Sequence, residues 1–180
     1  MDIRGSRTEK NLYKTFAGES RARNKYTFFA EQARCEGYRW ISYIFEETAN
    51  NEKAHAREAF KRYLNLVGST EENLIASANG ELEETNKIYK EFEEVAREEG
   101  FEDIANFYKE LREVEEEHFK RFSILIEKMK KNQIFKDPKG NTWRCLNCGY
   151  IYEGTELPEH CPLCKYPKSY FKQYCIDEGN

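Results

Sequence analysis

At 180 residues, with 39% hydrophobic and 34% charged residues, the chain has room for one domain or one domain with a small satellite. Its formal net charge of −4 argues against nucleic acid, whose phosphates require a clustered basic surface. No apolar run reaches the roughly 18 residues of a transmembrane helix, so no membrane partner is expected. The opening residues Met1-Asp2-Ile3-Arg4-Gly5 lack the apolar region of a secretion signal, which makes the cytoplasm the expected location.

The first 131 residues contain no proline, and a helical period runs through them. Ser6-Arg7-Thr8-Glu9 and Ser69-Thr70-Glu71-Glu72 have the form of capping boxes, in which a side-chain oxygen takes up a free amide of the first turn. Gly37, Gly68 and Gly100 stand where helices should stop, because glycine accepts the left-handed cap. These signals predict helices over 7–35, 39–66, 70–98 and 102–131, joined by short breaks as in a four-helix bundle. The texture then changes. Pro138-Lys139-Gly140-Asn141 reads as a turn, and Thr142-Trp143-Arg144 and Tyr150-Ile151-Tyr152 read as short strands. The expected division is residues 1–133 and 134–180, the second too small to hold together without a structural metal.

The bundle carries an internal repeat. Gly18-Glu19 matches Gly80-Glu81 at an offset of 62 residues. Tyr26 matches Tyr89, Glu36-Gly37-Tyr38 matches Glu99-Gly100-Phe101, and Glu52-x-x-His55 matches Glu115-x-x-His118, each at an offset of 63. Residues three apart share a helix face, so Glu52 and His55 point together, as do Glu81 and Glu84, and Glu115 and His118. The apolar stripes Ile41, Ile44, Phe45 and Phe107, Leu111, Val114 run into Glu52 and Glu115, placing carboxylates on faces that read as core. Ionised carboxylates there are costly unless paired or bound to metal. One Glu-x-x-His on a glutamate-rich helix is commonly a surface pair. Two in repeat-equivalent positions, each with a Gly-Glu partner, form a two-metal donor set instead: Glu19, Glu52, Glu81, Glu84, Glu115 and His118. Glu83, Glu116 and Glu117 lie off these faces and read as surface acids. Tyr26 and Tyr89, two turns on, are placed to hydrogen-bond ligand carboxylates, although buried tyrosines without that role would look the same.

Cys145-Leu146-Asn147-Cys148-Gly149 and Cys161-Pro162-Leu163-Cys164 give paired Cys-x-x-Cys knuckles, a tetrahedral sulfur site for one iron or zinc. Cys35 and Cys175 have no partner at ligand spacing and read as free thiols.

Cys-x-x-Cys-Gly-Tyr followed by Cys-Pro-x-Cys is similar to rubredoxin, and a di-iron bundle placed before it resembles rubrerythrin. Gly5 to Asn11, Phe16-Ala17-Gly18-Glu19-Ser20 and Trp143-Arg144-Cys145 add to the likeness, which covers essentially the whole chain. The resemblance implies a mainly α fold, a ferritin-like four-helix bundle with a small rubredoxin-like β domain. It implies two irons held by Glu19, Glu52, His55, Glu81, Glu84, Glu115 and His118, with Glu52 and Glu115 bridging and His55 exchanging with Glu81 as one iron shifts. It implies a third iron on Cys145, Cys148, Cys161 and Cys164, with zinc as a substitute. The activity implied is reduction of hydrogen peroxide to water in oxidative-stress defence, in a homodimer. Electrons would come from outside, through rubredoxin or an NAD(P)H-dependent reductase, since the chain has no Gly-x-Gly-x-x-Gly fingerprint. Two other readings use the same residues: a ferroxidase or iron-handling protein, and a zinc-stabilised structural module. The connection around Leu64 to Glu71 is shorter than in some members, which leaves open an exchange of helices between subunits.

Overall fold

The structure, a computed structural model, describes residues 2–174. The chain divides into two compact units between Ser69 and Thr70.

The first unit is a pair of long helices, α1 (Arg7–Cys35) and α2 (Arg39–Arg57), the latter running on into a π-helical turn, Glu58–Tyr63. Ser6 caps α1 by accepting from the Glu9 amide at 3.0 Å, while the Glu9 carboxylate accepts from the Gly5 amide at 2.6 Å. At the far end Gly37 takes φ +86°, so the Tyr38 amide reaches the Ala33 carbonyl at 2.8 Å and the Gly37 amide that of Arg34 at 3.1 Å. This is the paired-bond ending that glycine permits. The second helix stops at Tyr63 rather than 66, and Gly68 does not take the left-handed cap. Asn65, at φ 53°, makes the left-handed turn, since its short polar side chain tolerates that region.

The second unit opens with α3 (Thr70–Glu83), a π turn (Glu84–Ile88) and α4 (Tyr89–Glu98), which together form one continuous rod. It returns as α5 (Glu102–Lys130). Gly100 (φ +84°) repeats the Gly37 ending, with Phe101 to Ala96 at 2.8 Å. Asn132 (φ 54°) makes the same ending after α5, with Gln133 to Lys128 at 2.7 Å.

Within each pair, the buried helical residues are small: Ala30, Ala33, Ser42, Ala49, Ala56 and Ala59 in the first, Ala78, Thr85, Ala96 and Ala105 in the second. The stripes expected to face a core stay exposed, including Ile41, Ile44, Phe107 and Val114. Two helices pressed along an alanine seam cannot also cover the stripe beside it, which needs a further layer. An aromatic trio repeats in both pairs. Tyr26, Phe29 and Phe45 have centroids 5.6–6.3 Å apart, and Tyr89, Phe92 and Tyr108 have centroids 5.5–6.1 Å apart.

The rest of the second unit is a three-stranded antiparallel sheet in the order β2-β1-β3, with β1 Lys136–Cys145, β2 Ile151–Glu156 and β3 Phe171–Gln173. The turn expected at 138–141 is a bulge inside β1. Lys136 pairs with Glu156 and Asn141 with Gly154, so five steps on β1 face two on β2. Asp137 holds the bulge by accepting from the Lys139 amide and the Asn141 side chain, and Gly140 takes φ +82°. The third strand carries no alternation that marks it in the sequence. It forms by pairing Phe171 with Cys145, which buries the ring against Trp143 and Leu157. Among the described residues no helix is long and apolar enough to cross a membrane.

Candidate metal centres

The knuckles converge. Cys145 Sγ lies 3.8 Å from Cys164 Sγ, Cys148 Sγ lies 3.7 Å from Cys161 Sγ, and all four sulfurs fall within 4.8 Å of one another. Four sulfurs at about 2.3 Å from a central ion form a tetrahedron with edges of about 3.8 Å, so the donor set fits one iron or zinc as it stands. Both knuckles are built alike. The Gly149 amide donates to the Cys145 carbonyl at 2.8 Å and the Lys165 amide to that of Cys161 at 3.0 Å. The amides of Tyr150 and Tyr166 donate to Cys148 and Cys164. The Asn147 side chain and the Tyr166 amide bring the Cys164 thiol down to about 6. The Tyr150 amide pulls the Cys148 thiol down, but burial and the neighbouring thiols outweigh it and push it up to about 12. Thiols so crowded cannot all ionise without a cation between them.

Sequence reading missed two parts here. Asn147 has no motif signal. Lys165 occupies the position that Gly149 fills in the first knuckle, at φ 62°, and the repeat of the knuckle is the sign that could have flagged it.

The helical acids form two trios, one in each helix pair. In the first, His55 Nδ1 is 2.9 Å from Glu52 Oε2 and 3.6 Å from Glu19 Oε2. In the second, His118 Nδ1 is 2.7 Å from Glu115 Oε2 and 3.8 Å from Glu81 Oε2. The donor atoms of each trio lie within 4.8 Å of one another. Glu84 is not in the second trio, although its charge bears on Glu81. The surface acids behave as surface acids, with Glu83 beside Lys87 at 3.8 Å and Glu116 and Glu117 on Lys120 at 3.0 and 2.8 Å.

Electrostatics distinguish the trios from such pairs. A hydrogen bond to Glu52, then burial, raises the Glu19 carboxyl, while the same bond and His55 lower Glu52. In the second pair, burial and then a hydrogen bond to Glu115 raise Glu81. Two carboxylates this close repel unless positive charge lies between them, which is the place that a divalent ion takes, and oxygen with imidazole nitrogen suits iron. Each imidazole aims Nδ1 into its trio. Tyr89 is raised by burial, then by the Glu84 and Glu115 charges, and hydrogen-bonds the Glu84 carboxylate. Tyr26 instead lies against Phe45, with centroids 6.2 Å apart.

The π turn at Glu84–Ile88 explains the slip in the repeat. Glu19 to Tyr26 is seven residues and Glu81 to Tyr89 is eight. A π turn absorbs one extra residue while the helix on either side keeps its register. Arg112 braces that turn, donating from Nε to the Thr85 carbonyl at 3.1 Å and from Nη1 to Glu93 at 2.9 Å. Its repeat equivalent is Ala49, in the pair whose first helix has no such turn.

The rubrerythrin family model matches residues 10–72 and 72–149, and the model of the rubredoxin-like domain of rubrerythrin matches 143–172. The chain belongs to the rubrerythrin family. Rubrerythrin of Nitratidesulfovibrio vulgaris is 43% identical over 182 residues, covering 94% of this chain and 95% of that one. Rubrerythrin-1 of Clostridium acetobutylicum is 41% identical over 186 residues, covering 94% and 95%. A solved structure titled as a mixed-valence state of nigerythrin is 32% identical, covers 93% of this chain and 86% of that one, and superposes with a TM-score of 0.36. The fold class is accordingly that of a rubrerythrin: ferritin-like helices followed by a small rubredoxin-like domain, with a di-iron donor set and a four-cysteine site. Rubrerythrins are oxidoreductases. Cys175 lies outside the described residues, whereas Cys35 is exposed and unbridged.

Proposed function

We propose that the protein reduces hydrogen peroxide to water in oxidative-stress defence. The observation that carries this reading is the presence, in one chain, of two repeat-related Glu/Glu/His trios and a tetrahedral cluster of four sulfurs. Glu19, Glu52, His55, Glu81, Glu84, Glu115 and His118 would hold two irons, and Cys145, Cys148, Cys161 and Cys164 a third, for which zinc can substitute.

Peroxide plus two electrons and two protons gives two waters. Two irons held by the helical acids would supply both electrons together, and one iron held by the four cysteines would supply them singly. The chain's own groups set the stage. His55 and His118 aim Nδ1 at their carboxylates, and Tyr89 keeps its hydroxyl proton and directs it at Glu84. Family resemblance gives the exchange with His55 to Glu81, and Glu84 stands beside the second trio as a further carboxylate for the same metal. The Tyr150 and Tyr166 amides favour charge on sulfur.

The partners are peroxide and an external donor, a rubredoxin or an NAD(P)H-dependent reductase. The protein is a cytoplasmic homodimer that binds neither nucleic acid nor membrane, with its domain boundary near residue 133. The test is metal content and the optical spectrum of anaerobic protein before and after one equivalent of peroxide. About three irons per chain and prompt oxidation are expected. Iron oxidation without peroxide turnover would point to a ferroxidase, and zinc on sulfur with no iron on the helices to a structural module. Cys161→Ser should abolish steady-state turnover while sparing one oxidation of pre-reduced protein, and full turnover in that variant would refute the relay.

A further inference from the structure

We propose that a groove between α1 and the end of α2, outside the first trio, binds a small aromatic phosphate: a dianionic head carried on a flat ring. The groove lies wholly within the first unit, and none of Glu19, Glu52 and His55 lines it. Arg57, on its rim, follows His55 by two residues, which puts the two on nearly opposite sides of the helix. The inference is therefore independent of the metal the trios hold. The volume is about 430 Å³, within the range of small-molecule sites. The floor is apolar. Phe16 of α1 and Phe60 of the π turn lie there with ring centroids 4.6 Å apart, flanked by Ala56 and Val67.

The rim is cationic. Lys53, Arg57 and Lys61 stand four residues apart along α2 and the π turn that continues it, and Arg23 lines the same groove from α1. Like charges at that spacing destabilise a helix, and little offsets them here. Arg57 has Glu58 at 4.0 Å, the limit of an ion pair, and Glu58 also serves Arg62 at 3.2 Å. Neither Lys53 nor Lys61 enters an ion pair among the described residues. The Arg23 guanidinium donates to the neutral Asn24 side chain at 2.9 Å. In a chain of net charge −4, four cations around one apolar floor with so little counter-charge are matched to an anion from outside. Two guanidinium groups present paired N–H donors to phosphate oxygens, two ammonium groups add charge, and the phenylalanines take the ring.

The internal repeat shows that the helix pair does not need this groove to fold. Glu116 stands in place of Lys53, Ser123 of Phe60 and Ile124 of Lys61, all at the offset of 63, and Ala78 in place of Phe16 at the offset of 62. The one cation retained, Lys120 for Arg57, is neutralised by Glu116 at 3.0 Å. The second pair thus stands with neither the aromatic floor nor the uncompensated charge.

Pyridoxal 5′-phosphate tests the proposal, because it carries both a phosphate and a ring. Its aldehyde condenses with a lysine amine, releasing water, and borohydride reduces the imine to a stable secondary amine. With one equivalent added to the full-length protein, peptide mapping should find Lys53 or Lys61 labelled about tenfold above the other lysines. Phenyl phosphate should suppress that label at about tenfold lower concentration than inorganic phosphate, and benzyl alcohol should leave it unchanged. Arg23→Gln/Arg57→Gln should lower labelling of both lysines about tenfold, with iron content and thermal unfolding as in the parent. Even labelling of all lysines, or equal suppression by phenyl phosphate and inorganic phosphate, would overturn the proposal whether or not that variant folds. Labelling unchanged in a folded Arg23→Gln/Arg57→Gln would overturn it as well. So would suppression that vanishes when the helical iron is removed, since the phosphate would then be bound at the metal.

Discussion

Deleting Asn86 removes one exposed residue from the π turn between Glu84 and Ile88. In an ordinary α-helix, losing one residue turns everything beyond it by about 100° and shifts it by about 1.5 Å, which would throw the downstream face off its partner. Here the turn is wound one residue wide, so the deletion returns it to α geometry and leaves Tyr89 seven residues after Glu81, the spacing that Tyr26 keeps from Glu19. The Tyr89–Phe92–Tyr108 cluster and the seam at Ala96 and Ala105 should therefore survive. The principal loss is the Arg112 bond to the Thr85 carbonyl, about 1.5 kcal/mol for a charge-assisted bond on a part-exposed side chain. The deletion should cost no more than about 2 kcal/mol in denaturant unfolding, while Glu84, displaced from its place in the turn, leaves the Glu81/Glu115/His118 donor set weaker in iron. Deleting Asn24, which lies in α1 where no such turn exists, should cost more than about 4 kcal/mol. Equal damage from the two deletions would refute the account of the π turn.

Arg112→Ala should lower unfolding free energy by about 1.5 kcal/mol, and Arg112→Lys should recover only part of it, because an ammonium cannot serve Thr85 and Glu93 together. Gly149→Ala meets nothing within 4 Å, so its cost is the left-handed backbone alone, about 1 kcal/mol, read as earlier thermal loss of the metal-bound domain. Arg97 holds the Glu93 carboxyl below its ordinary 4.5; Arg112 adds to this, while burial opposes it. A depressed folded value means that this stabilisation is complete above 4.5 and fades as pH falls through the lower folded value, so Glu93→Gln should flatten the acid limb of a stability-versus-pH curve.

Helix starts were legible because their signals are local. Ser6 with Glu9 and the glycines at 37 and 100 act within one turn, and the structure uses them as read. Gly68 failed as a stop because Asn65 had already made the left-handed turn, and Asn132 and Lys165 make similar turns without glycine's freedom. Position alone cannot rank asparagine against glycine when both lie near a helix end. The third strand was invisible for another reason. Three residues carry no period, and Phe171 joins the sheet only because Cys145 and Trp143 are already in place. The apolar stripes of α2 and α5 were legible as faces to be covered, but not as faces that a lone helix pair leaves open.

The pairing of Glu52 with His55 and of Glu115 with His118 could be read from the three-residue spacing, and the equivalence of the trios from the repeat, whereas the same spacing put Glu84 beside Glu81 and the structure leaves it outside the trio. What looked like noise in that repeat carried information of a different kind. The offset is 62 residues at Glu81 and 63 at Tyr89, and helix continues on both sides. A residue added between two stretches that keep their faces cannot lie in a loop, because there is none, and cannot lie in an α turn, because the downstream face would rotate away. A π turn is the remaining place for it. An insertion inside a repeat of helices, bracketed by residues that still correspond, therefore locates a π turn from sequence alone. In this chain the turn begins at Glu84, the acid that has no counterpart in the first half of the repeat.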